Sequence, residues 1–456
     1  MDQAISAKTV ENNLDPDTLN EAGFKYLLAS YVDIHGSCKC KAVPAAHVAD
    51  MLSGSELFTG AALDGVPQDV SDDEVAARPD PDSLIRLPWR SDTGWLASDL
   101  YLGDAPFEAC SRGILKRQLE AAAELGFGFN LGIETEFFIL REDEHGQAVP
   151  VGRRDALAKP AYDVSSTLDS FAVLEAIVTE MNALGWDVYS FDHEDGNGQF
   201  EIDFAYSDAL TMSDRFVFFR VLANEIAERH GAFATFMPKP YADRAGSGAH
   251  FNMSLADLAT GANLFATETD ARGCGLSELG YQFIAGVLRH LPAICAVVSP
   301  TVNSYKRLIK TGSMSGFTWA PVFACYGNNN RTNTIRIPKA GARVECRAAD
   351  ISCNPYLGAA LLLAAGLEGV RGALDPGDPH NDNMYLKSDA ELAALGVSRL
   401  PRHLGDAVEA FAADPLAEEV FGALMHKTFV EFKRDEWAAY QQHVSDWELE
   451  RYLKFF

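Results

Sequence analysis

The sequence predicts an α+β protein: strands bent into a barrel or a strongly curved sheet around one polar cavity, with helices between them and a smaller domain in front. Three observations predict it. Five short stretches alternate apolar and polar residues at period two, and in each the polar face carries charge. Stretches of helical length and pattern run between those strands. A segment rich in Gly, Pro and Asp, residues 53–88, sets the front of the chain apart. At 456 residues the chain is long enough for two or more domains. The boundary falls near Pro106, giving domains 1–106 and 107–456.

In chain order, residues 17–30 read as a short helix. Tyr31, Val32, Asp33 and Ile34 read as a strand running into a turn at Gly36, and residues 40–43 as a second strand ending at Pro44. Residues 53–88 read as loop, and Leu100 and Tyr101 close the small domain. Residues 110–125 form a helix with Gly126 as its cap. Residues 131–140 read as one strand, and residues 166–184 as an amphipathic helix stopped by Gly185. The stretch 189–204 holds an acidic cluster and ends with Phe200, Ile202 and Phe204 alternating against Glu201 and Asp203. A long helix over 211–230 follows, then strands over 250–255, 334–337 and 343–347. Asn354 and Pro355, an N-cap and an N1 proline, open a buried helix. Its apolar run, 357–367, is too short to span a bilayer. Helices through Trp447 and Tyr452 close the chain.

The chemistry starts in residues 131–140. Leu131, Ile133, Thr135, Phe137 and Ile139 share one face of the strand, and Glu134 and Glu136 project from the other. Two carboxylates that close repel, and burying them unpaired is costly. A hard divalent cation removes that cost. An edge strand with its acidic face in water explains one such pair equally well, but not the later stretches that repeat the arrangement. Lining one cavity, these strands bring Glu134, Glu136, Glu201, His250 and Glu345 beside Arg336 and Arg347, with Glu194 from an adjoining loop. Carboxylates with one histidine suit Mg²⁺ or Mn²⁺ better than zinc. Arginines beside bound metals suit a phosphate, so the set suggests phosphoryl transfer. There is no Walker A sequence, and Gly246-Ser247-Gly248 alone is weak. Taken singly, His250 reads as a structural histidine and Glu345, between Arg343 and Arg347, as an ion pair. Five strands with the same alternation favour the site.

Composition narrows the partners. With 47% hydrophobic and 23% charged residues the chain reads as a soluble globular protein. A formal charge of −27 opposes nucleic acid. The start of the chain has neither a basic nor an apolar targeting region, and no membrane partner is expected. Eight scattered cysteines, with Cys38 and Cys40 lacking zinc-ligand spacing, fit reduced thiols in the cytoplasm.

These residues together match a known family. The chain resembles the glutamine synthetase family over nearly its full length. The motifs are Glu134-Thr135-Glu136-Phe137-Phe138, residues 194–201 ending Gly198-Gln199-Phe200-Glu201, and Phe236-Met237-Pro238-Lys239-Pro240. Residues 246–254, Asn303-Ser304-Tyr305-Lys306-Arg307, Asn330-Arg331-Thr332, Ile335-Arg336-Ile337-Pro338 and Glu345-Cys346-Arg347 complete them. The resemblance implies a small β-grasp-like N-terminal domain and a catalytic domain with a curved antiparallel sheet. It implies ATP as substrate and two or three Mg²⁺ or Mn²⁺ per site. By position, Glu136, Glu194 and Glu201 resemble the ligands of one metal, and Glu134, His250 and Glu345 those of a second that bridges the ATP phosphates. Arg307 and Arg347, with Gly246, resemble the clamp on glutamate. Arg331 and Arg336 resemble the arginines at the γ-phosphate, and Ser254 belongs with the ATP contacts. The implied reaction phosphorylates the side-chain carboxylate of glutamate, and an amine then displaces phosphate. The family also implies a dodecamer of two stacked hexameric rings, each site completed by a neighbour.

Two departures bear on the amine. Family members that use ammonia hold it with a glutamate just before the Ala-Pro of a flap, where this chain has Trp319 before Ala320 and Pro321. They also use an aspartate in an N-terminal Phe-Asp-Gly segment, where this chain has Phe58-Thr59-Gly60, with Asp64 five residues on as a substitute. An indole in place of an acid suits an alkylammonium ion. The sequence therefore points to a γ-glutamyl ligase for methylamine. Ammonia, a polyamine or ethanolamine are alternative acceptors, and a catalytically silent family member is a third reading.

Overall fold

The computed structural model describes residues 14–313, 316 and 318–456. The start of the chain, read above for a targeting signal, lies outside the described residues. Helix α1 (Pro16–Glu21) begins at Asp15, whose carboxylate accepts the N–H groups of Asp17 and Thr18. It ends well before residue 30, because Gly23, at φ +83°, turns the chain out of the helix. The residues expected to continue it form β1 (Tyr26–Val32), which lies between β2 (Cys38–Pro44) and a parallel neighbour, β6. A strand buried on both faces has no period-two signature, so its apolar run imitates a helix. After α2 (Val48–Leu52), the segment expected to be loop contains β3 (Glu56–Phe58), β4 (Val75–Pro79) and β5 (Ile85–Arg86). These are short and flanked by Asp and Pro, which hides them from periodicity. With β6 (Thr93–Leu102) and β7 (Ala105–Pro106) they make one sheet, ordered β2-β1-β6-β4-β3 with β5 and β7 on β6.

Helix α3 (Ser111–Glu124) leads through Gly126, at φ +80°, into β8 (Phe127–Ile133). Here the expected single strand breaks. Glu134 belongs to neither β8 nor β9 (Thr135–Glu142), and the two strands enter different sheets. Next come β10 (Ala148–Pro150), α4 (Val164–Asp169) and α5 (Phe171–Ala183); the one helix expected here is two, meeting at Ser170. The chain continues through β11 (Val188–His193), β12 (Gln199–Phe204), β13 (Ser207–Asp208), α6 (Ala209–Arg229), β14 (Phe233–Thr235) and β15 (Phe251–Asp257). Then follow α7 (Glu278–Val298), α8 (Ser304–Arg307), β16 (Phe323–Asn328), β17 (Asn333–Ile337), β18 (Val344–Cys346), α9 (Pro355–Arg371) and β19 (Ser398–Arg399). One sheet runs β10-β9-β12-β11 with β14 on β9, and the other runs β13-β8-β15-β18-β17-β16-β19. Their pairs are antiparallel except β16 and β17, which run parallel.

Helices α6, α7 and α9 fill the core. Helix α7 is long and apolar enough to cross a membrane, but 78% of its apolar window is buried inside the fold, so it is a core helix. The front sheet is tied to the helices by Arg112 on α3. Its guanidinium meets Asp80 at 2.7 Å, Asp99 at 3.0 Å and Asp214 of α6 at 3.1 Å, and Asp214 also accepts the Tyr356 hydroxyl at 2.6 Å. A buried guanidinium with this many acceptors is fully satisfied, which is the condition for burying it at all.

Candidate active site

The break at Glu134 sends two neighbouring carboxylates in different directions. Glu134 turns toward the β8-β15-β18 sheet, where its Oε2 lies 2.7 Å from His250 Nδ1 and its Oε1 accepts Asn252 Nδ2–H at 3.0 Å. Glu136 stays with the β9-β12 sheet, directly opposite Glu201 in the ladder. The seam is closed by main-chain bonds from Glu134 N to His250 O and from Glu136 N to Gly248 O, both 3.2 Å. Two triads result. Glu134, His250 and Glu345 each present one ligand atom within 4.8 Å of the others, and so do Glu136, Glu194 and Glu201. All six sequence candidates are thus brought together, three and three.

The second triad is held by a brace that sequence reasoning missed. Asp155, buried, accepts from Asn197 Nδ2 at 2.8 Å and from the Gly198 N–H, and lies 2.8 Å from His193 Nε2. These bonds fix the turn between β11 and β12 that carries Glu194. Nothing in the spacing of Asp155 announces this, since it joins from a loop some forty residues away. Asn252, by contrast, shares the alternating face of His250 and Ser254 and is legible from it.

Charge defines what the triads can hold. Among the described residues no lysine or arginine forms an ion pair with Glu136, Glu194 or Glu201. Burial, then Glu136 and Asp192, push the Glu194 carboxyl up to about 8. Burial and the neighbouring carboxylates Glu194 and Glu134 push Glu201 well above the usual carboxylate range. Asp203 rises to about 7 and Asp192 to about 6, again through burial first and acidic neighbours second. A cage of hard oxygens that repel one another without a cation fits a divalent hard metal. His250 is held down to about 3 by burial and by Arg347, so its imidazole is neutral, as a metal ligand must be.

The arginines take distinct places. Glu345 is fully buried between Arg347 and Arg336, with Arg336 Nη1 at 2.6 Å; its partner is not Arg343, which donates instead to Asn252 Oδ1 at 2.8 Å. Arg347 also donates to the Trp319 carbonyl at 3.2 Å. Arg307 is buried beneath the site, donating to the carbonyls of Ala348 and Arg347 at 3.0 Å each. Arg331 is exposed and lies within electrostatic reach of Tyr162, which faces Glu194 and Asp192. Gly246 and Gly248 leave no room for a side chain: a Cβ on Gly246 would stand 2.5 Å from Pro238 O, and one on Gly248 would stand 2.7 Å from both Arg307 Nη2 and His250 Nε2. Trp319 is 45% exposed with φ +55°. Thr59 and Asp64 pair with residues outside the triads, Glu74 at 3.2 Å and His35 at 3.3 Å. Ser254 lines a cavity of about 440 Å³ that opens on Glu134 and is walled by Tyr189, Tyr206, Asn252 and Arg343. That volume suits a drug-sized or nucleotide-sized ligand.

Comparison with known proteins gives the same answer from another direction. The sequence profile described as "Glutamine synthetase, catalytic domain" matches residues 108–452. A glutamate–methylamine ligase of Methyloversatilis universalis is 43% identical, covering 96% of this chain and 98% of that protein. A glutamine synthetase of Rhizobium leguminosarum bv. phaseoli is 39% identical over 94% of this chain and 96% of its own length. The solved structure titled "GmaS/ADP complex-Conformation 1" superposes with a TM-score of 0.89 at 40% identity, covering 96% of this chain and 99% of that one. With two carboxylate triads built across one seam, and with these matches over nearly its whole length, the chain belongs to the glutamine synthetase family.

Proposed function

We propose that the chain is an ATP-dependent ligase that joins the γ-carboxylate of L-glutamate to methylamine through γ-glutamyl phosphate. Mg²⁺ or Mn²⁺ occupies two or three positions per site, held by Glu136, Glu194 and Glu201 and by Glu134, His250 and Glu345. When bound, these ions neutralise phosphate charge and orient its oxygens for in-line transfer. The residues of the chain do the rest. Arg331 and Arg336 absorb charge that develops on the transferred phosphoryl group. Arg307, Arg347 and Gly246 fix glutamate, and Ser254 lies on the nucleotide side. Phosphorylation is needed because a carboxylate oxygen is a poor leaving group until it carries phosphate. Asp64, and beside it Thr59, reach the site of a neighbouring copy in a dodecamer of two hexameric rings, where Asp64 takes the proton that the amine must lose. Within one chain their side chains pair with Glu74 and His35 rather than with a triad residue, which fits a role across an interface. Eight free cysteines support a reducing, cytoplasmic location. The formal charge of −27 opposes a nucleic-acid partner.

Trp319 carries the choice of amine. Its carbonyl is held by Arg347 and its side chain is partly exposed, and by the family resemblance it takes the place of a glutamate that ammonia-using members have. A buried methyl contributes about 0.8 kcal/mol and an indole face roughly 0.5–2 kcal/mol for the cation, or about one to two orders of magnitude over ammonia. Ammonia as acceptor is the second reading, favoured by the 39% identity to a glutamine synthetase. A competition assay at matched free-amine concentration decides between them. Methylamine is expected to show the higher kcat/KM, and Trp319→Glu is expected to shift the ratio toward ammonia. Preference for ammonia in the unaltered protein would make it a glutamine synthetase.

A further inference from the structure

We infer that Lys239 is a positioning residue whose ammonium straps the stretch leading into the glycine loop, at Arg244, to the backbone of Gly312, seven residues before Trp319, and thereby sets amine selectivity from outside the site. Its catalytic readout rests on the ligase reading; its structural readout does not.

Lys239 sits in the irregular stretch between β14 and the glycine loop and is 4% exposed. An ammonium so buried needs acceptors. It finds them in two main-chain carbonyls, those of Arg244 and Gly312, the latter at 3.1 Å. Among the described residues it forms no ion pair. Burial pulls its pKa down to about 8, with Asp243 acting the other way. A lysine bonded to the backbones of two loops, and to no carboxylate, acts as a fastener.

What it fastens is specific. The Lys239 N–H donates to Asn303 Oδ1 at 2.7 Å, and Asn303 Nδ2 donates back to the Lys239 carbonyl at 3.1 Å. Asn303 is the N-cap of α8, the helix that carries Arg307. The Pro238 carbonyl accepts the Ser247 N–H at 2.8 Å, inside the glycine loop. The stem of Lys239 is therefore fixed to the parts proposed to hold glutamate, and its ammonium reaches outward. Gly312 meets it at φ +105°, a backbone conformation that favours glycine. At the far end of the flap, Tyr385 OH donates to the Ala320 carbonyl at 2.5 Å and Arg347 to that of Trp319. Of these ties, the Lys239 bond is the one that reaches Arg244, two residues before Gly246. A γ-glutamyl phosphate reacts with whichever nucleophile arrives, so a flap out of place admits water and loses its grip on the amine's methyl group.

Two variants test this. Lys239→Met keeps the stem and removes every donor; Lys239→Arg keeps donors of greater reach. Without substrates, amide hydrogen exchange is expected to quicken about tenfold in the segments bearing Gly312 and Trp319 of Lys239→Met, the loss that follows from one charge-assisted bond. Exchange in β8 and β15 should not change. With ATP, glutamate and methylamine, phosphate released per amide formed should rise about tenfold, the methylamine preference should fall by a similar factor, and KM for ATP should hold. Lys239→Arg should recover both. Where Lys239→Met yields no folded protein, Lys239→Leu, which also lacks a donor, is read the same way. Unchanged flap exchange and an unchanged phosphate-to-amide ratio overturn the strap, as does quickened exchange spread equally through the core strands. Faster flap exchange in a protein that makes no γ-glutamyl product from any amine leaves the strap standing and removes the ligase reading instead.

Discussion

Glu134 has its role because it lies between two strands and belongs to neither. Its carboxylate is pulled to His250 and Asn252, two residues from a carboxylate that serves another triad. Replacing it with glutamine keeps the shape and removes a charge from a cage whose parts act together. Glu134→Gln and Glu345→Gln are each expected to lower ATP- and glutamate-dependent turnover at least about a hundredfold, more than is usual for a residue that only orients a ligand. Circular dichroism should show the fold intact. Full turnover in either variant after thorough chelation would discard the two-metal arrangement. At this scale much was legible. The Glu-x-Glu pair, His250 and Glu345 stand on alternating faces, and alternation is a local property. Asp155 was not, nor were the bonds that Lys239, itself in a legible motif, makes, because each depends on how a loop approaches, which the whole fold sets.

Among the elements, α7 and α9 pack tightly against each other. A Cβ on Gly286 would stand 1.9 Å from Ala365 O, and one on Gly369 would stand 2.0 Å from Gln282 O. Neither contact is with a flexible side chain, so the helices must separate to admit a methyl group. Gly286→Ala and Gly369→Ala are each expected to cost about 2–3 kcal/mol or more, read as a lower midpoint in urea at an unchanged m-value. An unchanged midpoint would show that the helices are free to part. Helix α9 was legible from its Asn-Pro start and apolar run, but the depth of its contact with α7 was not. Elements were misread where burial on both faces erased periodicity, as in β1, or where strands were too short to show any, as in β3, β4 and β5. The break between β8 and β9 escaped for a third reason: a strand that changes sheets keeps its alternation.

For the molecule as a whole, the acidic cage couples stability to pH. Glu194, Asp203 and Asp192 have folded-state pKa values near 8, 7 and 6, all above their ordinary values. Between those ordinary values and the raised ones the folded chain binds more protons than the unfolded chain, so its stability falls as pH rises. In the chelated protein Tm is therefore expected to drop from about pH 5 to pH 8, and saturating Mn²⁺ should flatten the curve. A Tm that rose with pH in the presence of a chelator would contradict the cage. Light scattering is expected to find the active species at a large multiple of 49.6 kDa. A fully active monomer would refute the shared site.

The seam at Glu134 also makes the site divisible. One half of the chemistry hangs from the β8-β15-β18 sheet and the other from the β9-β12 sheet, with a single residue, Glu134, carrying the chain from β8 to β9. Damage confined to one half need not silence the other. Glu201→Gln, on β12, is expected to leave ADP affinity within about threefold of the parent, a shift of about 0.7 kcal/mol, while transfer to glutamate fails. Trp319 lies just before β16, with the β8-β15-β18 half, so a refitting for a new amine there leaves the Glu136, Glu194 and Glu201 half untouched.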